Sequence, residues 1–265
     1  MLIESTTHLP AALAMFQDIF HAPDGGEFAR VFLRWAHFVA GITWIGMLYF
    51  FNLVNVNFMK ALDGPTKKVV VPNLMPKALW YFRWGALVTV LAGLTYYAMY
   101  ILRPDVINVN ALGGASANIW VVLLVWLLIG IAAWVIFFLI LPRINDGRVL
   151  AVVTAVLVIL MSVAIVWWLN SQLSGTSGGR AESFASNKTF SIGIGGALGL
   201  IMLLNVWGII WPAQKRIIAG TVSGEAAPPE LARRAFLASR TNAWLSLPML
   251  FFMATSHGDY IILGK

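Results

Sequence analysis

Six stretches of this chain are apolar for longer than the roughly 20 residues that a helix needs to cross the core of a bilayer. They cover residues 28–59, 78–102, 117–141, 149–173, 189–211 and 243–263. Inside a bilayer every backbone polar group must be paired, so that a spanning segment is either a helix or part of a closed barrel. Runs of this length indicate helices. We therefore predict an all-α integral membrane protein, a six-transmembrane-helix bundle.

The charged residues fit this interpretation and give the bundle an orientation. Only 11% of the residues are charged, against about 25% in a soluble domain. The segments after the first, third and fifth runs hold most of the basic residues, which are Lys60, Lys67, Lys68, Lys77, Arg143, Arg148, Lys215, Arg216, Arg233, Arg234 and Arg240. By the positive-inside rule, both termini lie outside the cytoplasm of a bacterial inner membrane. The net charge of +7 therefore does not call for nucleic acid as a partner.

The chain divides into two parts by this reading. Residues 1–27 form an exterior N-terminal segment, in which residues 9–20 have the apolar spacing of an interfacial helix. Residues 28–265 form a single six-helix membrane domain. The start does not resemble a cleavable signal peptide, because it contains Glu4 and no early lysine or arginine. The chain has no cysteine, which excludes disulfides, cysteine-ligated clusters and covalent c-type haem within it.

Two of the four histidines lie within predicted spans. His37 follows the outer end of the first span by about nine residues, or roughly 13 Å, and His257 precedes the outer end of the last span by about six residues, or roughly 9 Å. Ionisable residues inside a membrane mark functional sites by default. Two imidazoles at similar depth on the first and last helices suit the two axial positions of a haem b. We predict that His37 and His257 are its iron ligands; His8 and His21 are expected to be solvated.

Small residues and one arginine complete the predicted haem pocket. Gly41 lies one turn from His37 on the same helix face, and Gly195 and Gly199 form a small-residue face at a comparable depth. Arg34, one turn outward of His37, could pair with a haem propionate. Other readings remain open, because such glycine faces also mediate helix packing and an arginine there can simply reach toward the interface.

Little other chemistry competes with a haem site. The predicted spans contain no acidic residue apart from Asp259 near the end of the last one. Proton- and ion-coupled transporters commonly carry Asp or Glu near the midplane of the membrane. The sequence also lacks a nucleotide-binding glycine loop and the His-Glu-x-x-His pattern of zinc hydrolases.

Four blocks of the sequence resemble a known family. They are RWAHFVAGITWIGMLYFFN from Arg34, FRWGALVTVLAGL from Phe82, NVWGIIWPAQKRIIA from Asn205 and SRTNAWLSLPMLFFMATSH from Ser239. Together they resemble the membrane domain of bacterial membrane-bound urate oxidases of the PuuD type. The first block is also similar, more loosely, to HemJ-type protoporphyrinogen oxidases and to CopD-like proteins.

The resemblance implies a membrane-embedded oxidase domain that works with a cytochrome c. In that family a C-terminal cytochrome c domain follows the membrane domain, and no such domain occurs before Lys265. We therefore expect a separate cytochrome c, or a larger membrane oxidoreductase complex, as the partner. The first hypothesis is a haem-b protein that transfers electrons near the periplasmic face. The alternatives are a urate or purine oxidase subunit acting with a separate cytochrome c, and a structural or assembly subunit without cofactor.

Overall fold

The computed structural model describes residues 23–225, 227–257 and 261–264. Six long helices account for most of these residues: α1 Gly25–Ala61, α2 Gly64–Leu112, α3 Ile119–Ile140, α4 Gly147–Gln172, α5 Asn187–Ser223 and α6 Pro229–Thr255. A short antiparallel hairpin of β1 Ser174–Ser177 and β2 Arg180–Ser183 connects α4 to α5. The all-α prediction is confirmed. The interfacial helix predicted for residues 9–20 lies outside the described residues.

Most of the helices begin at a polar residue whose side chain pairs with the first turn. The side chains of these capping residues accept hydrogen bonds from otherwise unpaired backbone N–H groups; they are Asp24, Asp63, Asn118, Asp146 and Ser186. In α2 the cap is followed by Pro65 in the first turn. Proline fits this position because the backbone N–H that it lacks would have no acceptor within the helix. Hydrogen bonds from the side chain and then the backbone of Thr66 hold the pKa of Asp63 below its usual value.

Three helices contain a π-helical segment. These segments are Phe50–Asn55 in α1, Ala98–Leu102 in α2 and Val206–Ile210 in α5. A π turn adds a residue without ending the helix and shifts the face that the following residues present. The helices therefore continue without a break through these segments. Helix α2 extends from Gly64 to Leu112, well past both ends of the predicted span over residues 78–102.

The bounds predicted for the last helix are wrong at both ends. It begins at Pro229 rather than near residue 243, and it ends at Thr255 rather than at residue 263. At the end of the helix, the Ser256 hydroxyl donates to the Met253 carbonyl at 2.7 Å, and the His257 ring lies 3.0 Å from the same oxygen. These side chains occupy a carbonyl that would otherwise continue the helical ladder. His257 therefore lies in the turn after α6 and not within a span.

Five helices, α1 to α5, are long and apolar enough to cross a membrane, which agrees with a multi-pass membrane protein. The sixth helix is less apolar because its first half carries Arg233, Arg234 and Arg240. It also has a stripe of polar residues, Ser239, Asn242 and Ser246, whose spacing places them on one helix face. Each of them contacts another helix. Ser239 bonds Asn52 of α1 at 2.9 Å, and Asn242 accepts a hydrogen bond from Asn205 of α5 at 2.8 Å. The polar residues of α6 thus face protein and not lipid.

Helix α5 lies at the centre of the bundle. Its first nineteen residues, Asn187–Asn205, are almost all buried, and it packs against α2, α3, α4 and α6. Helix α1 packs mainly against α2. There Gly85 approaches so closely that an added Cβ would lie 3.3 Å from the Ala40 carbonyl oxygen. Contacts between α1 and α6 are much sparser, and this difference leaves space between the two helices.

Candidate functional site

A cavity of about 690 Å³ lies among α1, α2, α3, α5 and α6. Its size falls within the roughly 300–1,000 Å³ of pockets that hold small molecules and cofactors. Most of its wall is aliphatic, aromatic or glycine. The chemistry available in it therefore comes from a few polar side chains, and His37, His257 and Arg34 are among them.

The imidazole of His37 is fixed by α2. Its Nδ1 lies 2.8 Å from the carbonyl oxygen of Thr89. A carbonyl only accepts, so Nδ1 carries the proton and Nε2 retains its lone pair. The ring has room because residue 93 is glycine; a Cβ at Gly93 would lie 2.7 Å from Nδ1. A ring N–H donated to a backbone carbonyl is the usual arrangement behind a histidine that binds a metal through its other nitrogen.

The imidazole of His257 is held in a similar way by its own segment. Its Nδ1 lies 3.0 Å from the carbonyl oxygen of Met253 and 2.7 Å from the Ser256 hydroxyl. With Nδ1 as the donor to Met253, Nε2 again has a lone pair. Both histidines line the same cavity, and they are close enough to interact electrostatically. The structure thus brings together the two histidines that the sequence analysis paired.

Two further polar side chains of cavity-lining residues lack a partner within the described chain: one has no ion pair and the other has no hydrogen-bond acceptor. Arg34 lies over the ring of Phe38 at 5.9 Å, and no described carboxylate forms an ion pair with it. Trp44 is 1% exposed, yet its Nε1 donates to no acceptor among the described residues. The Trp44 indole nitrogen is enclosed by protein, so that of these two groups only the Arg34 guanidinium, which is exposed, is available to a molecule in the cavity.

The three glycines predicted as pocket walls have different surroundings. Gly41 lines the cavity and packs against α2, where its Cβ would lie 3.6 Å from Thr89 Cγ2. Gly199 also lines the cavity, and a Cβ there would meet no atom within 4 Å. Gly195 instead faces α6, where its Cβ would lie 3.2 Å from Phe252 Cβ. Gly195 therefore fits the helix-packing interpretation, and its neighbour Gly196 lines the cavity instead.

Sequence reasoning missed Thr89 and Gly93, which position His37. Together with Gly85 they recur every four residues along α2 and so form one small-residue face. That spacing was visible in the sequence, although nothing in it identified His37 as the side chain that packs there.

A buried carboxylate was also missed. Asp105 is 7% exposed and accepts hydrogen bonds from the Ser186 backbone N–H at 2.8 Å, the Ser186 hydroxyl at 2.8 Å and the Thr189 hydroxyl at 2.7 Å. It thus pairs with the N-terminus of α5, where the helix dipole favours negative charge. Asp105 anchors the helix that forms one wall of the cavity. The sequence alone places it in a loop because the apolar run ends at residue 102.

In the described part of the chain, no group of three or more His, Cys, Asp or Glu residues is arranged to hold a metal ion. The candidate site therefore consists of the cavity, two histidine nitrogens and one arginine. No solved structure and no curated protein matches the chain in the comparisons. The family profile described as "Urate oxidase N-terminal" matches residues 62–263. This range covers more than half of the chain and includes His257, whereas His37 precedes it. The chain thus belongs to the urate oxidase N-terminal family, as the four sequence blocks predicted.

Proposed function

We propose that this chain is a membrane haem-b protein, a urate-oxidase-related subunit that transfers electrons near the periplasmic face. His37 and His257 would hold its iron. One observation carries the proposal: the two histidines line one cavity of about 690 Å³, and each has its Nδ1 bonded to protein. Each therefore offers Nε2, the nitrogen that a haem iron would take.

The rest of the cavity fits this group. A porphyrin needs a flat apolar space, and Gly196 and Gly199 keep the α5 wall free of side chains. Arg34 lines the same cavity without a carboxylate partner in the described chain, and its guanidinium suits a propionate. When bound, a haem supplies one-electron chemistry at a potential that its axial ligands and surroundings tune.

The chain's own contribution is orientation and exclusion of water. The Thr89 carbonyl fixes the tautomer of His37, and donation from Nδ1 makes Nε2 a better electron donor. Gly93 allows the ring to sit against α2 without a clash. The apolar wall lowers the local polarity, which is one of the protein's means of setting a redox potential.

The orientation of the bundle supports a partner on the outer side. We propose six spans with both termini outside, where α6 is the sixth because its polar residues pair with α1 and α5. The lysine- and arginine-rich segments then lie in the cytoplasm. His37 and His257 are at the opposite, periplasmic end. Electrons would leave or enter there through a cytochrome c or a larger membrane oxidoreductase complex in the bacterial inner membrane.

Absorption spectra of the purified protein test the ligand assignment. We expect a reducible b-type spectrum for the wild type and its loss or clear shift in His37→Ala and His257→Ala. His21→Ala serves as the matched control and should keep the wild-type spectrum. A wild-type spectrum in both cavity variants would contradict the assignment, and a colourless, iron-free wild type would favour the cofactor-free structural subunit.

Family membership favours a second candidate function, oxidation of urate or a similar purine with a separate cytochrome c as electron acceptor. No substrate-binding residue is assigned for it. Turnover of urate should be measured by the purified protein with and without added oxidised cytochrome c. Urate consumption that depends on the cytochrome supports an enzyme, whereas its absence under both conditions leaves the electron-transfer role.

A further inference from the structure

A second group of polar side chains lies far from the cavity, on the opposite half of α2. Arg83 precedes Gly93 by ten residues, which is about 15 Å along the helix axis. Its guanidinium carbon lies 3.9 Å from the centre of the Trp211 ring and 5.8 Å from that of Trp207. The Trp207 indole N–H donates to the Arg83 carbonyl at 3.2 Å. This aromatic surround fixes where the guanidinium lies between α2 and α5.

The guanidinium is only partly satisfied by the protein. Arg83 Nε is buried and has no acceptor in the described chain. A second cation shares the location, because Lys215 Nζ lies 5.4 Å from the centre of the same Trp211 ring. No described carboxylate pairs with either residue. Cation–π contacts offset part of the cost of desolvating a charge, but a donor left without an acceptor remains unfavourable.

The surroundings indicate where a compensating anion comes from. Trp84 packs edge-on against Trp207, with ring centres 5.5 Å apart, and is 39% exposed on the outside of the bundle. Trp80, one turn away, is 50% exposed. Exposed tryptophans on a membrane helix are typical of the headgroup level. A basic pocket between two helices at that level suits an anionic lipid headgroup.

We propose that Arg83 and Lys215 bind the phosphodiester of an anionic phospholipid, such as phosphatidylglycerol or cardiolipin, in the groove between α2 and α5. Trp207 and Trp211 form the wall of this site, and the terminal N–H groups of the Arg83 guanidinium, which are not enclosed as Nε is, donate to the phosphate oxygens. Arginine suits this role because its planar donors match phosphate oxygens. The site is independent of the haem proposal, since it shares none of the cavity residues.

Lipid retention and thermal stability test the site. The protein is purified in mild detergent, its bound lipids are counted by native mass spectrometry, and its melting temperature is measured in phosphatidylcholine nanodiscs with and without phosphatidylglycerol. We expect the wild type to keep anionic lipid and to be stabilised by phosphatidylglycerol. Arg83→Gln should retain at least about tenfold less anionic lipid, which corresponds to a loss of about 1.4 kcal/mol in binding free energy. Lys215→Gln should show a smaller loss in the same direction.

Arg30→Gln is the matched control. Arg30 also lies over an aromatic ring, that of Tyr100 at 5.8 Å, but it is exposed, so this variant should retain lipid as the wild type does. Equal retention by Arg83→Gln, Lys215→Gln and the wild type would overturn the proposal. So would equal stabilisation of phosphatidylcholine samples by inorganic phosphate alone, which would indicate a site for a free anion. Should Arg83→Gln fail to fold, Lys215→Gln and Arg83→Lys decide the outcome by the same two measurements.

Discussion

Polar side chains on the contact surface of α6 are hydrogen-bonded to one another, whereas some polar groups of the cavity-lining residues have no protein partner. Where α6 meets α1 and α5, polar side chains pair with one another; Asn205 accepts from Trp134 at 3.1 Å and donates to Asn242, which donates to the Met202 carbonyl at 2.9 Å. On the cavity wall, the Trp44 N–H is left without an acceptor in the described chain. His37 uses only one of its ring nitrogens.

The difference separates a structural role from a binding role. A buried polar group with no partner costs about 1–3 kcal/mol, so a fully paired set has its function in folding. A group on the wall of the cavity that the protein leaves unpaired, such as Nε2 of His37, instead has capacity to bind a ligand. The same contrast distinguishes Gly195, which is packed against α6, from Gly199, which faces open space.

The largest expected effect comes from adding one methyl group behind His37. In Gly93→Ala the new Cβ would lie 2.7 Å from His37 Nδ1, so the ring must leave the Thr89 carbonyl. We expect haem content per chain, measured from the absorption spectrum and total iron, to fall about tenfold or more. Gly147→Ala is the control, because Gly147 does not line the cavity and a Cβ there meets no atom within 4 Å. If Gly93→Ala kept the wild-type haem content, haem binding would not depend on the orientation of His37 that Thr89 fixes.

A substitution in the paired set should affect stability and leave the cavity intact. Asn242→Leu deprives the Asn205 amide N–H of its acceptor in a fully buried position. The expected cost is about 1–3 kcal/mol, measured as a lower melting temperature in detergent. Haem per folded chain should stay at the wild-type level. Asn57→Leu, at an exposed residue that bonds only within its own helix, should change the melting temperature far less.

Two tryptophans on the cavity wall provide a smaller and more direct comparison. Trp126 donates its indole N–H to the Gly193 carbonyl at 2.9 Å, whereas the Trp44 N–H has no acceptor in the described chain. We expect Trp126→Phe to cost about 1 kcal/mol in haem-free protein. Trp44→Phe should cost less, because no protein hydrogen bond is lost. Equal melting temperatures for the two variants would show that the N–H groups do not differ in this way.

The smallest predicted effect concerns pH. The pKa of Asp63 is lowered in the folded state by its hydrogen bonds to Thr66. Because its pKa is lower in the folded state, this cap stabilises the protein at pH values above the unfolded pKa of about 3.9. Its contribution is lost as the pH falls through the lower folded value. Asp63→Asn should therefore narrow the difference in melting temperature between pH 6 and pH 3. An unchanged difference would show that this cap does not contribute to acid sensitivity.

Much of the helical framework could be predicted from the sequence, since apolar runs identify segments that face lipid. The start of α6 was predicted wrongly for the same reason. Its polar residues face protein, and in a hydropathy pattern such a helix looks like a loop followed by a short span. The extension of α2 to Leu112 carries no apolar signal, and the π segments lie within apolar runs that do not distinguish them from α-helix. Hydropathy also gave no indication that Asp105 is buried.

The site could be predicted in part. Depth along the first and last helices suggested that His37 and His257 would meet, and the structure places both on one cavity. The roles of Thr89 and Gly93 depend on the rotation of α2 against α1, which residue spacing alone does not determine. The same limit applies to Gly195 and Gly196, which differ by about 100° around α5 and so face different neighbours.

The central claim is that both histidines ligate one haem iron, and electron paramagnetic resonance of the oxidised protein tests it most directly. The account predicts a low-spin ferric signal for the wild type, as two imidazole ligands produce. It predicts high-spin iron in His37→Ala and in His257→Ala, each of which would keep a single imidazole. A low-spin wild-type signal that persists in both variants would contradict the account.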